Sequence, residues 1–219
     1  MVDRIMNDLR SDDPTVADEL SIRDAMRSEE LQNDFMRRHE DVLDGFRRLN
    51  GMDAVNAAPD AEAVLSRHRD HLIEQADNPN QRRILADDLN AHIAVARGDI
   101  AHHAGRQALA WEQGVAQDRL DLLKQKAAEN YADPSQLDIY VDASAMAARG
   151  VARALGFPVA SGQASMYAAA ARSALYRSAI EAALGNDAHD AAVNLYSRLK
   201  GRLAPEDLAS LDPEMAIVR

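Results

Sequence analysis

The stretch from Pro79 to about Tyr131 constrains this chain more than any other, because it holds no proline after Pro79 and its apolar side chains return every three or four positions. That spacing predicts one continuous helix. Asn78 stands where an N-cap belongs, and Pro79 occupies the first helical position, where a missing N–H costs nothing and the fixed φ suits the helix. At 1.5 Å per residue, roughly 50 residues make a rod of about 75 Å, far longer than a typical globular helix. One small core cannot bury it. The expected fold is therefore all-α: an elongated helical bundle with one very long central helix, assembled with something else.

Leu85, Leu89, Ile93, Ala96 and Ile100 keep to one side of such a helix. Beyond Ile100 the stripe thins to Ala104, Ala108, Trp111, Val115 and Leu122, and Gly98, Gly105 and Gly114 interrupt the run. Each glycine costs about 1 kcal/mol relative to alanine. Either they are simply tolerated, or they permit close helix approach, a bend, or a break into two helices. Trp111 is the only tryptophan. Covering it is worth a few kcal/mol, whether the cover comes from the chain's own C-terminal helices or from a second subunit. Ile93, Ile100, Trp111, Val115 and Leu122 are the candidate assembly contacts.

Hydrophobic residues make up 47% of the 219, which is ordinary for a folded protein, but only 4% are aromatic. Much of the buried surface must then be alanine, which packs closely and buries little area per contact. β-branched runs bounded by turn residues are missing, so no sheet is expected. A net charge of -11 argues against a free-standing duplex DNA binder, which would show a basic face. The absence of cysteine removes thiolate chemistry, disulfides and the common zinc sites. The opening residues MVDRIMNDLRSDDP show no signal peptide, and no run approaches 18 uncharged apolar residues, so no stable transmembrane segment is expected.

In chain order, residues 1–28 read as short, flexible N-terminal helices, with a turn around Ile5 and Leu9 and a helix from Val16 to about Met26. Residues 29–131 read as a bundle around the long helix. Its first member, from about Glu29 to Leu49, uses Leu31, Phe35, Val42, Leu43, Phe46 and Leu49 and ends at Asn50-Gly51. Its arginines Arg37, Arg38, Arg47 and Arg48 lie off that side. A short element from Met52 is stopped by Pro59, and a helix from Ala61 to about Gln75 lies back along the first third of the rod as a hairpin. Residues 132–219 read as C-terminal helical hairpins with a solenoid-like arrangement. Asp133-Pro134 opens a helix closed by Gly156, and Ser161 caps another that ends at Gly185. Asp187 starts a third helix, and Pro205 begins a last one that ends at Asp212-Pro213. Tyr167, Tyr176 and Tyr196 are the expected core of the terminal hairpin.

Candidate chemistry is thin. His68, His71 and Glu74 recur at intervals of three, so all can point one way, but the spacing matches no zincin pattern. Asp99 can reach His103 across one helical turn, and His39 beside Glu40 and His189 beside Asp190 suggest nothing sharper. The acidic pairs Asp12-Asp13, Glu29-Glu30 and Asp87-Asp88 do not face one another across a cleft as glycoside chemistry requires. No nucleophile elbow and no phosphate loop is present. The expectation is a chain with no catalytic residue, no cofactor and no metal.

Several runs do carry a resemblance. Phe46-Arg47-Arg48-Leu49-Asn50-Gly51-Met52-Asp53-Ala54-Val55, Ala58-Pro59, Ala76-Asp77-Asn78-Pro79-Asn80-Gln81-Arg82-Arg83-Ile84-Leu85, His103-Ala104-Gly105-Arg106-Gln107 and Ala191-Ala192-Val193-Asn194-Leu195-Tyr196 through Arg202-Leu203-Ala204-Pro205-Glu206-Asp207 are the residues concerned. Over roughly residues 40–213 the chain resembles the helical region of bacteriophage and prophage internal virion, DNA-ejection or tail proteins, often adjacent to a lytic transglycosylase domain. The resemblance implies a structural virion protein and a homo-oligomer. It also implies other virion proteins as partners, indirect contact with DNA, and residence in the phage particle after synthesis in the bacterial cytoplasm. It carries over no catalytic residue, since no segment here corresponds to the transglycosylase domain. A helical adaptor or assembly chaperone that holds a partner peptide is the competing expectation.

Overall fold

The computed structural model describes residues 14–218, with side chains described from Ile22 onward; the turn expected around Ile5 and Leu9 lies outside them. All regular structure among the described residues is helical. In order, the α-helices are α1 (Pro14–Arg47), α2 (Gly51–Glu74), α3 (Pro79–Glu129), α4 (Pro134–Ala154), α5 (Gly162–Gly185), α6 (His189–Leu199) and α7 (Pro205–Ile217), with a 3-10 turn at Lys200–Arg202. The central helix α3 has 51 residues. The chain divides into two compact units, one reaching to Ala108 and the other starting at Leu109, so the division falls within α3, whereas the sequence reading placed it after residue 131.

In the first unit α1, α2 and the first part of α3 form a three-helix bundle. Leu31, Phe35, Leu43 and Phe46 of α1 pack with Leu65 and Leu72 of α2 and with Leu85, Leu89, Ile93, Ala96 and Ile100 of α3. Each large side chain buried here contributes about 1.5–3 kcal/mol. The periodicity of the segments that became α1 and α3 had indicated these faces. The short helix expected from Val16 to about Met26 and the longer one expected from about Glu29 to Leu49 are instead one, because nothing between Arg27 and Glu30 stops the helix. Ser28 Oγ donates to Asp24 O one turn back at 3.0 Å, and Arg27 pairs with Glu30 at 2.6 Å. Pro59 likewise fails to stop α2. It sits on the exposed side, where the carbonyl it leaves without a partner can be hydrated, and Ala54 and Leu65 are buried on either side of it.

The start of α3 is built as its residues suggest. Asn78 Oδ1 accepts from Gln81 N at 2.9 Å, and Gln81 Oε1 accepts from Asp77 N at 2.8 Å, a reciprocal cap. The buried Gln81 and Asn78 also donate to Asp24 Oδ1 and Oδ2 at 2.8 and 2.9 Å, which fixes α1 to this entry. The helix then runs unbroken through its three glycines. A Cβ added at Gly98, Gly105 or Gly114 would meet nothing within 4 Å, so they serve neither a close approach nor a break.

The second unit gathers around α5, which packs against α4, α6 and α7. Alanines dominate the α4–α5 contact: Ala145, Ala148 and Ala152 against Ala164, Ala168 and Ala171, with Leu175, Ile180 and Leu137 supplying bulk. Asp133 caps α4 through Ser135 N at 2.9 Å and Gln136 N at 3.2 Å. These bonds hold its carboxyl below the usual carboxylate range, the Ser135 side chain contributing most. Gly156, at φ +87, closes α4, with Phe157 N bonded to Ala152 O and Gly156 N to Arg153 O, both at 2.9 Å. At the end of α5 the same motif does not use Gly185. Asp187 takes the left-handed position, at φ 56, and Ala188 N reaches Ala183 O at 2.9 Å. The final helix passes Asp212-Pro213 and continues to Ile217, because Leu211 and Met215, one turn apart, are both buried while Pro213 is exposed. Tyr176 and Tyr196 are core residues, whereas Tyr167 is 39% exposed and rests against Phe157 with ring centroids 6.2 Å apart.

Candidate functional site

The five candidate assembly residues separate into two groups. Ile93 and Ile100 are buried in the core of the first unit and have no surface left for a partner; their stripe is consumed by α1 and α2. Trp111, Val115 and Leu122 are 47%, 49% and 53% exposed. The row of α3 that packs in the second unit is Ala116, Leu120, Leu123 and Ala127, one residue out of phase with the expected one. One residue is a turn of about 100° around a helix, enough to move a side chain from the core to the surface. Trp111, at 47% exposure, is therefore not covered by the helices of its own unit.

Around this apolar row some of the charged side chains are paired along the surface, while Asp118 and Arg119, exposed between Val115 and Leu122, make no ion pair among the described residues. Glu112 bonds Arg153 at 2.9 Å, and Asp121 bonds Lys124 at 3.1 Å, with Gln117 also donating to Asp121 at 3.3 Å. The Lys124 bond leads in holding the Asp121 carboxyl below its usual range. The result is an unburied Trp111 and Val115 pair separated from Leu122 by the exposed Asp118 and Arg119. Such a surface can exclude water against another helix but offers no group poised for chemistry.

Two clefts bring charged groups together. In the second unit a cleft of about 530 Å³ is lined by Asp138, Asp142, Arg172, Tyr176 and Arg202. Arg172 lies 3.9 Å from Asp142, and Arg202 donates to the neutral Tyr176 hydroxyl at 3.3 Å, while Asp138 makes no ion pair among the described residues. In the first unit Arg47, Asp99, His102, His103 and Arg106 line a cleft of about 470 Å³. Here Asp99 pairs with Arg47, at 3.4 Å, and not with His103. His103 is turned inward, donating from Nε2 to Leu49 O at 3.0 Å with its ring edge-on to Phe46.

His68 and His71 diverge although they are three residues apart. His68 Nε2 lies 3.6 Å from Asp34 on α1, and His71 Nε2 accepts from Gln75 at 2.8 Å. Among the described residues no group of three potential ligands is arranged to hold a metal ion, and no helix is long and apolar enough to cross a membrane.

Two arrangements escaped the sequence reading. One is the corner held by His103 and Gln107, since Gln107 Oε1 accepts from Gly51 N at 2.9 Å. Its signal was the four-residue spacing of two polar side chains on α3 opposite the Leu49-Asn50-Gly51 turn. The other is the set of imidazoles of His39, His68 and His92 around Phe35. Histidines from three separate helices have no common spacing, so only packing brings them together. Comparison with protein-family models, curated proteins and solved structures finds no match to this chain.

Proposed function

We propose that this chain is a structural protein of a bacteriophage particle, internal or tail-associated, held by helix contacts with copies of itself and with neighbouring virion proteins. The exposed Trp111, Val115 and Leu122 row carries the assembly part of this reading. The resemblance of the Leu49-Asn50-Gly51 and His103-to-Gln107 runs supports the phage part. On this reading the helices from α4 onward form a solenoid-like end, and the chain has no enzymatic role. It is made in the bacterial cytoplasm, resides in the virion and assists genome delivery. Contact with DNA is indirect, because a net charge of -11 opposes a phosphate backbone.

Light scattering coupled to small-angle X-ray scattering across a concentration series tests the proposal. A ring or large multimer that dissociates in Trp111→Lys is the expected result. A chain that stays monomeric at 24.0 kDa at every concentration overturns self-assembly.

One observation favours a second reading, an adaptor or assembly chaperone. A groove of about 230 Å³ in the second unit is lined by Leu120, Ala148, Val151, Tyr167 and Ala171, apolar side chains suited to a partner peptide. A stable monomer that protects this groove on adding a helical peptide would favour it.

A further inference from the structure

Phe35 is fully buried, and three imidazoles, one from each helix of the first unit, surround it. Ring centroids lie 5.9 Å away for His39 on α1, 6.1 Å for His68 on α2 and 6.3 Å for His92 on α3. His39 and His68 stack on the ring, while His92 stands at the exposed edge. Both ring nitrogens of His39, and Nε2 of His68, are buried without a hydrogen-bond partner. At His39 a neutral imidazole leaves one donor and one acceptor unsatisfied; an imidazolium would leave a charge with two unsatisfied donors, a far greater cost.

We propose that this cluster makes the first unit sensitive to acid: protonation of His39, packed on Phe35 with both ring nitrogens unpartnered, loosens α1 from α2 and α3, while the second unit stays folded. For His39 the charged neighbours do not offset the cost. Burial leads in holding the His39 ring below its ordinary value of 6.5, and His92 on α3 is the next cause, since two cations would face each other. Glu40 on α1 and Asp99 on α3 oppose this weakly, and Arg47 on α1 adds to it. From α2 the facing group is His68, whose nearest carboxylate, Asp34, is 3.6 Å away.

The sign follows from linkage. The folded state holds the His39 proton less tightly than the unfolded chain, so its contribution to stability is complete above about pH 6.5 and is lost as the pH falls below that. Below that pH the exclusion of a proton from His39 raises the unfolding constant up to about tenfold per pH unit. Six of the seven histidines lie between His39 and His103, and the seventh, His189, is exposed in the second unit, so the response belongs to the first. In the second unit the carboxyls of Asp121, Glu129 and Asp133 are held below their ordinary values by hydrogen bonds, outside the histidine window.

Hydrogen-exchange mass spectrometry of the intact chain at pH 7.5 and 5.5, corrected for intrinsic exchange rates, tests the proposal. Segments 31–46, 65–72 and 85–100 are expected to lose protection by up to about tenfold, and segment 164–183 to keep it. His39→Phe should abolish most of the loss, and His71→Gln, at an exposed position, should leave it intact. Equal protection at both pH values in the first unit, or equal loss in both units, overturns the proposal. If His39→Phe does not fold, the His39 ring-proton titration in the unsubstituted chain decides. A midpoint below 6.5 with first-unit resonances lost in step supports the latch, and an ordinary midpoint with the fold unchanged overturns it.

Discussion

His103 donates from Nε2 to the carbonyl oxygen of Leu49 at 3.0 Å, across 54 residues of sequence. One turn further along α3, Gln107 accepts from Gly51 N at 2.9 Å. A single face of the long helix thus satisfies both the carbonyl left at the end of α1 and an amide left at the start of α2, groups that helix geometry orphans at every terminus. The corner is closed by side chains from a third element, which ties the register of α3 to that of the hairpin beside it.

Removing either clamp should therefore destabilise the first unit. His103→Leu leaves the Leu49 carbonyl without its partner and should cost about 1–3 kcal/mol, with Gln107→Leu in the same range. Urea denaturation of the two single variants and the double variant measures this. Because both act on one turn, the double variant should lose less than the sum of the singles.

The glycines of α3 lead to the opposite sign. With open space where a Cβ would go, Gly98→Ala, Gly105→Ala and Gly114→Ala should each stabilise the helix by about 1 kcal/mol. Thermal melts followed by circular dichroism should show three nearly additive increases. A loss at any one of them would mean that the glycine serves a bend or a contact formed only in the assembled protein.

Two helix ends differ in who occupies the left-handed position. Gly156 holds φ +87 without strain, whereas Asp187 holds φ 56 with a Cβ. Gly156→Ala should cost about 1–2 kcal/mol, and Asp187→Gly should gain about 1 kcal/mol, both read from denaturation midpoints.

Ile100 and Trp111 lie on the same helix, and their substitution should separate folding from assembly. Ile100→Ala empties a fully buried site and should cost about 2–5 kcal/mol of stability. Trp111→Ala should leave the melting temperature within a few degrees and shift the mass distribution measured by light scattering. If both variants lose stability alike, Trp111 is a folding residue and the surface reading fails.

Much of the architecture was legible because it rests on short-range rules. The 3.6-residue period, the Asn78-Pro79 and Asp133-Pro134 starts, the Gly156 stop and the stripe from Leu85 to Ile100 each involve residues within a turn or two of one another. Local geometry is enough to specify them. Tertiary packing decided what these rules leave free. Pro59 and Pro213 sit inside helices because their exposed positions tolerate a missing bond while buried neighbours hold the helix on both sides. Asp187 took the place expected of Gly185, and the buried row of the second unit fell on Ala116, Leu120, Leu123 and Ala127. Trp111, Val115 and Leu122 were thereby left outside. An alanine-rich helix offers nearly equal apolar faces, so its own sequence barely distinguishes them, and the helices packed against it make the choice. The same holds for His103 on Leu49 and for the histidines around Phe35. Their partners are far away along the chain, and only the folded bundle places them within reach.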